Sequence, residues 1–177
     1  MDVYAEACHL LDSAGVRYVV IGAMGVNLHS APRAPVVLTE DLDLLLPADP
    51  AQLRRAVVSL SGAGFLLEAR GEPLVGDDAV ILAGIARARA RVRATKDESA
   101  VDLALEAAGL LFEDVWARHV VRRIDGTQVR VAPLPDIVRS KMHANRLKDR
   151  LFLATYADRL AELMREAGVE PPPELLG

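Results

Sequence analysis

The stretch VIGAMGVNLHSAPRAPVVLTEDLDLLL, residues 20–46, decides the fold. Its first residues complete the β-rich run Arg17 to Ile21, which reads as a short buried strand. Gly22-Ala23-Met24-Gly25 then turns the chain into a helical stretch through about His29, and Arg33 follows. After Thr39 and Glu40, Asp41 to Leu46 forms a second strand, stopped by Pro47. Leu42, Leu44 and Leu46 line one face of it. The other face begins with Asp41 and Asp43 and ends in Leu45. A merely solvated face stays polar along its length. This one turns apolar, so the carboxylates mark the end of a buried strand opening into a cleft.

Working outward, Val3, Tyr4, Ala7, Leu10, Leu11 and Ala14 follow the helical period, and Gly15 supplies a stop. Ala51 to Ser61 is helical, with Asp49 or the preceding turn as its cap and Gly62 and Gly64 closing it; Phe65 to Ala69 is a third strand. Ala100 to Leu105 is a further strand and Leu110 to His119 a helix. Val120 to Ile124 and Thr127 to Val131 form a hairpin about Asp125-Gly126, which tolerates the positive φ angles of the turn. Asp136 is expected to cap a helix to about Asn145, and a last helix covers roughly Asp149 to Ala167. Between them, Ala79 to Ala86 is apolar, while Arg87, Arg89, Arg91 and Arg93 alternate with small residues. That alternation favours a strand with one basic face, although Ala and Arg also favour helix. No repeat or low-complexity linker divides the chain. The reading is a single domain over 1–177: an α/β core at 16–132, C-terminal helices at 133–170 and a tail at 171–177.

Composition bounds the function. The chain has 177 residues, of which 51% are hydrophobic and 26% charged, enough to bury a core. Aromatics make up 4%, too few for stacking platforms for single-stranded nucleic acid. No apolar run approaches the roughly 20 residues that span a bilayer, and acidic Asp2 and Glu6 argue against an export signal. A single Cys excludes an internal disulfide framework and a Cys-rich zinc site. The expectation is a soluble cytoplasmic protein without a membrane partner. The net charge of −4 is unevenly spread: residues 1–86 carry 5 Lys/Arg against 11 Asp/Glu, and residues 87–150 carry 14 against 9. An acidic total therefore leaves room for a phosphate-bearing partner.

Asp41 and Asp43 leave the same strand face with Cα atoms about 6.5–7 Å apart. Carboxylates that close repel each other, and a divalent cation relieves the repulsion. Mg²⁺ takes one or two carboxylates and completes its shell with waters and substrate phosphate. Asp102 sits in VDLAL between Ala100 and Ala104, which leave room around its carboxylate. If its strand lies beside that of Asp41, it becomes a third ligand; alone, it reads as a surface strand Asp. The turn at Gly22 exposes backbone N–H groups at a helix N-terminus, where phosphate binds.

In that order, strand, glycine turn, helix and Asp-x-Asp strand, with a third Asp at 102, the chain resembles the minimal nucleotidyltransferases of the DNA polymerase β-like superfamily. The likeness is closest to the bacterial AbiEii-type toxins and related stand-alone domains. Many members continue through a hairpin into a helix with Lys and an Arg-x-Lys-Asp run, and PLPDIVRSKMHANRLKDR, residues 133–150, matches with Lys141, Arg146, Lys148 and Asp149. The resemblance covers residues 16–155 discontinuously. Three departures stand beside it. Ala23 replaces Gly or Ser, APVVL lengthens the loop before the Asp pair, and Phe152 stands where a second Asp often follows Asp149.

The resemblance implies an α+β fold with a nucleotidyltransferase-like mixed sheet flanked by helices. It implies Mg²⁺ (or Mn²⁺) bound by Asp41, Asp43 and Asp102, with Asp102 also activating the acceptor hydroxyl. Gly22, Ala23, Lys141, Arg146 and Lys148 would bind an NTP, whose NMP moves to an RNA, protein or small-molecule acceptor. A cognate antitoxin is an implied partner. The alternative is a non-catalytic relative that keeps the fold as a binding protein. The arginines of residues 87–93 read either as a basic ladder for phosphate or as the charged outer face of an edge strand. His29 lies near the glycine turn, either towards a nucleotide or on the helix surface. His9, His119 and His143 have no metal-ligand spacing; Cys8 and Trp116 read as core and packing residues.

Overall fold

In the computed structural model, which describes residues 2–31 and 34–176, the chain begins with α1 (Val3–Ser13), β1 (Val19–Ile21), α2 (Gly22–Ser30) and β2 (Asp41–Leu45). It continues through α3 (Pro50–Gly62), β3 (Leu66–Ala69), β4 (Glu72–Pro73), α4 (Ala79–Arg87), β5 (Val92–Lys96) and β6 (Ser99–Ala104). Then come α5 (Phe112–Arg118), the hairpin β7 (Val120–Ile124) and β8 (Thr127–Val131), α6 (Leu134–Ala144) and α7 (Leu147–Glu166). A 3-10 turn at Pro173–Leu175 follows, and Leu175 packs into the core at the end of the stretch read as a tail. Arg33 lies outside the described residues.

The strands join in one mixed sheet of order β4-β3-β5-β6-β2-β1-β8-β7, so the fold is α+β. β2 runs parallel to β6 and antiparallel to β1, and β1 runs parallel to β8. Leu42, Leu44, Val101 and Leu103 are fully buried, as the alternation in both strands requires. Asp2 and Asp49 cap α1 and α3, each worth about 1 kcal/mol. Cys8 is enclosed in the core and burial pushes its thiol up to about 12, so it stays protonated and inert. Trp116 stacks with Phe112 and lies under the guanidiniums of Arg17 and Arg130, joining α5 to the sheet. Among the described residues no helix is long and apolar enough to cross a membrane.

Two local expectations change. Residues 87–93 are not a single basic strand: Asp78 caps α4, whose last residue is Arg87, and only after the turn at Arg89 (φ 49°) does β5 begin. An apolar run behind a good N-cap is stable as a helix, which shortens the strand to the part beside β6. Asp136 is not the cap of α6. Pro133 holds that place, and Asp136 lies inside the first turn, fully buried between Arg118 and Arg139.

His29 turns from the glycine turn towards β8. Its Nε2 lies 2.8 Å from the Ala132 carbonyl oxygen, which can only accept, so this nitrogen carries the hydrogen. Burial lowers its pKa, overcoming the opposing hydrogen bond, and Arg122 acts in the same direction. The folded state thus binds this proton less readily than the unfolded chain. The stabilisation is complete above about pH 6.5 and is lost as pH falls below it. Denaturant midpoints at pH 7.5 and 5.5 should drop for the wild type and drop less for His29→Gln.

Candidate active site

The sheet register builds the site. β2 and β6 pair so that Asp43 is opposite Asp102, and β5 places Arg93 opposite Asp102 on its other side. Directly paired residues share a sheet face, so Asp43, Asp102 and Arg93 form a row across three adjacent strands, with Asp41 two residues before Asp43. Asp102 is thus in the neighbouring strand, the condition for it to join the Asp pair.

Its carboxylate is already engaged. Arg91 donates to Asp102 Oδ2 at 3.0 Å, and Arg93 Nη1 at 3.1 Å. Arg93 Nη2 reaches on to Asp41 Oδ1 at 2.8 Å, so one guanidinium bridges two of the acidic residues. Desolvation works against the Arg93 charge, but Asp102 and Asp41 outweigh it and raise its pKa. Asp43 has no hydrogen bond or ion pair among the described residues. Burial, and then the neighbouring Asp102 charge, raise its pKa against the pull of Arg91. Its position is what a cation would relieve.

A cleft of about 690 Å³ opens in front of this row. It is lined by Ile21, Gly22, Ala23, Asp41 and Asp43 of the β1–α2 turn and β2, by Arg89 and Arg91 just before β5, and by Lys141, Arg146, Lys148 and Asp149 of α6 and the start of α7. Asp102 is buried behind it. Gly22 is both in the left-handed region, at φ 67°, and pressed against Asp43. A Cβ there would come within 2.2 Å of Asp43 Oδ2 and 3.1 Å of its Cγ. Ile21 precedes α2 without a side-chain cap, so the first backbone N–H groups of the helix are left for an anion.

Gly22→Ala should therefore displace the Asp43 carboxylate and strain the backbone. The expected cost is about 1–2 kcal/mol of stability from the left-handed φ, accompanied by loss of any divalent ion that the Asp pair would hold. Urea denaturation and Mn²⁺ titration of the variant check the two parts. A variant matching the wild type in both would show that neither the close approach nor the φ angle matters.

Within the same lining Lys141 is held by two contacts: its Nζ lies 4.0 Å above the Phe152 ring centroid and 3.7 Å from Asp149 Oδ1. Burial lowers its pKa, while Asp149 and Asp43 oppose the shift. Arg146 Nε donates to Asp149 Oδ2 at 2.6 Å, which raises the Arg146 pKa. For Asp149, burial favours the protonated form, but the hydrogen bonds and charge of Arg146, with Lys141, outweigh it and lower the pKa. Asp149 anchors the two cations, and the Phe152 ring supports the lysine. Lys148 is exposed at the rim.

The residues singled out from the sequence thus meet in one place: Asp41, Asp43, Gly22, Ala23, Lys141, Arg146 and Lys148 line the cleft, with Asp102 behind. Sequence reasoning missed Asn27. Its Oδ1 accepts from the backbone N–H groups of Val36 and Val37, and its Nδ2 donates to the Val37 carbonyl at 2.7 Å. The loop before Asp41 is therefore tied to α2, and the Tyr4 hydroxyl donates to the Glu40 carbonyl at its end. A lone Asn in a helix carries no signal for this.

As a test of fit, Asp41 and Asp43 match the one or two carboxylates that Mg²⁺ takes, the rest of its shell coming from water and phosphate. Among the described residues no three His, Cys, Asp or Glu side chains form a ready-made metal cage. The donor set fits an ion that arrives with a phosphate ligand.

No protein-family model matches the chain, and no curated protein matches it. Among solved structures it is similar to the crystal structure of JHP933 from Helicobacter pylori. The identity is 14% and the TM-score 0.40, over 94% of this chain and 75% of that one.

Proposed function

We propose that the cleft is the active site of a divalent-cation-dependent nucleotidyltransferase, which moves NMP from an NTP onto an RNA, protein or small-molecule acceptor. The observation that carries this reading is the mixed lining of one cleft. An Asp pair beside an uncapped helix N-terminus and three cationic side chains, Lys141, Arg146 and Lys148, line the same space. An extended triphosphate needs both, since its charge is distributed along a chain of phosphates.

Asp41 and Asp43 would hold Mg²⁺, which when bound supplies positive charge to the triphosphate oxygens. The N–H groups at Gly22 and Ala23 bind a phosphate oxygen at the α2 N-terminus. Lys141, steadied by Phe152 and Asp149, and Arg146 place positive charge where the pyrophosphate leaves. Phosphoryl transfer asks little covalent chemistry of the protein, so positioning and charge are its main tasks. The resemblance extends the proposal to a toxin controlled by a cognate antitoxin, as analogy only.

The pairing of Asp102 and Asp41 with Arg91 and Arg93 favours a second reading, a non-catalytic relative that uses the cleft for binding. Incubation with each α-labelled NTP, Mg²⁺ and total RNA or protein separates the two. Transfer of label supports the enzyme. No transfer and no metal-dependent NTP binding would favour the relative.

A further inference from the structure

The acidic row and the arginines beside it belong to one charge system. Asp41, Asp43 and Asp102 would together carry three negative charges against the two positive charges of Arg91 and Arg93, a net of one negative charge among these five side chains. Arg93 spans Asp102 and Asp41 with separate nitrogens at 3.1 and 2.8 Å. Arg91 closes on Asp102 at 3.0 Å, and that carboxylate is only 3% exposed. This is a fixed, buried end for two guanidiniums rather than a loose surface pair. In-register pairing of β5 with β6 sets Arg93 in place through the backbone ladder.

A two-ion phosphoryl-transfer site puts its cations about 3.5–4 Å apart, sharing carboxylates between them. Here a guanidinium already bridges two of the carboxylates, and among the described residues Asp43 is the member left without a direct partner. We infer that this is a one-ion site, in which the guanidiniums of Arg93 and Arg91 take the place of a second divalent cation. Asp102 then acts as a positioning residue: it holds the two arginines at the cleft instead of ligating metal. Arg91, which lines the cleft, presents fixed positive charge to the phosphates from the β5 side. A guanidinium suits that task because it is always charged and forks to carboxylate and phosphate alike.

The inference rests on the reading of the cleft as a metal–nucleotide site, and the experiment separates the two. The full chain is mixed with Mn²⁺ and, in turn, each of the four NTPs in α,β-non-hydrolysable form. The isolated complex is then examined by electron paramagnetic resonance and its Mn²⁺ content measured. The wild type should hold one Mn²⁺ per bound nucleotide, with the spectrum of an isolated ion. Arg91→Gln/Arg93→Gln should hold two, with the spectrum of a spin-coupled pair, while Arg93→Lys, which keeps the charge, should stay at one. If the double variant does not fold, Arg93→Gln alone is examined, with the same expectation. A coupled pair in the wild type, or a single ion in the folded Gln variants, would overturn the inference. Absence of bound Mn²⁺ from the wild type with every nucleotide would overturn the metal–nucleotide reading itself, and the inference with it.

Discussion

If the cleft transfers NMP as proposed, Asp41→Ala/Asp43→Ala is expected to abolish that transfer while the protein stays folded. The strand is held by Leu42 and Leu44, both fully buried, and by ladder pairing with β1 and β6, none of which depends on the acidic side chains. Asp41 is 46% exposed, and among the described residues its one ion pair, to Arg93, is shared with Asp102. Removing both carboxylates therefore costs little in packing. What is lost is the donor set for the cation and the charge stabilisation it would supply, worth several kcal/mol in a phosphoryl transfer. That corresponds to a loss on the order of a thousandfold or more in rate. Label transfer reads the activity and circular dichroism the fold. A folded double variant that retains transfer would sink the assignment.

Arg118→Ala/Arg139→Ala is expected to cost about 3–5 kcal/mol of stability, the range for leaving a buried charge without its partners. Asp136 is fully buried in the first turn of α6; Arg118 reaches its Oδ2 at 2.8 Å and Arg139 pairs with Oδ1. The Arg118 approach is too oblique for a hydrogen bond, which leaves Oδ2 without one. Its hold on the carboxylate is therefore by charge, not by a directed bond. The N-terminal end of α6 still faces the carboxylate in the variant, which places the effect towards the lower figure. Adding Asp136→Ala should recover most of the loss, because the unpaired buried charge is then gone. Guanidinium denaturation of the three proteins measures this. A double variant within about 0.5 kcal/mol of the wild type, the level of an ordinary surface substitution, would contradict the account.

The strand–glycine–helix–strand unit at the start of the cleft was legible because each element announces itself locally: a β-branched run, a glycine turn, an Asp/Leu alternation. The hairpin at Asp125-Gly126 was legible for the same reason, and both turn residues have positive φ, at 44° and 81°. What lay beyond local pattern was register. Nothing in VDLAL states that its Asp will sit beside Asp43, and only the parallel pairing of β2 with β6 brings them together. The alternating arginines were visible, but their target was not. Whether a basic face looks outward or onto an acidic strand depends on which strand lies next to it, and that is β6. Asp136 shows the same limit from the other side. A carboxylate near a helix start resembles a cap, and only the tertiary approach of Arg118 from α5 makes it a buried ion-pair centre.

The central claim is that the carboxylates of the cleft hold a metal–nucleotide. Its most direct measurement is equilibrium binding of labelled NTPs to the wild type and to Asp41→Asn/Asp43→Asn, with and without Mg²⁺. At least one NTP should bind the wild type tightly only when Mg²⁺ is present, and the variant should lose the Mg²⁺-dependent part. NTP binding that is equal in both proteins and indifferent to Mg²⁺, or no binding of any NTP to the wild type, would contradict it.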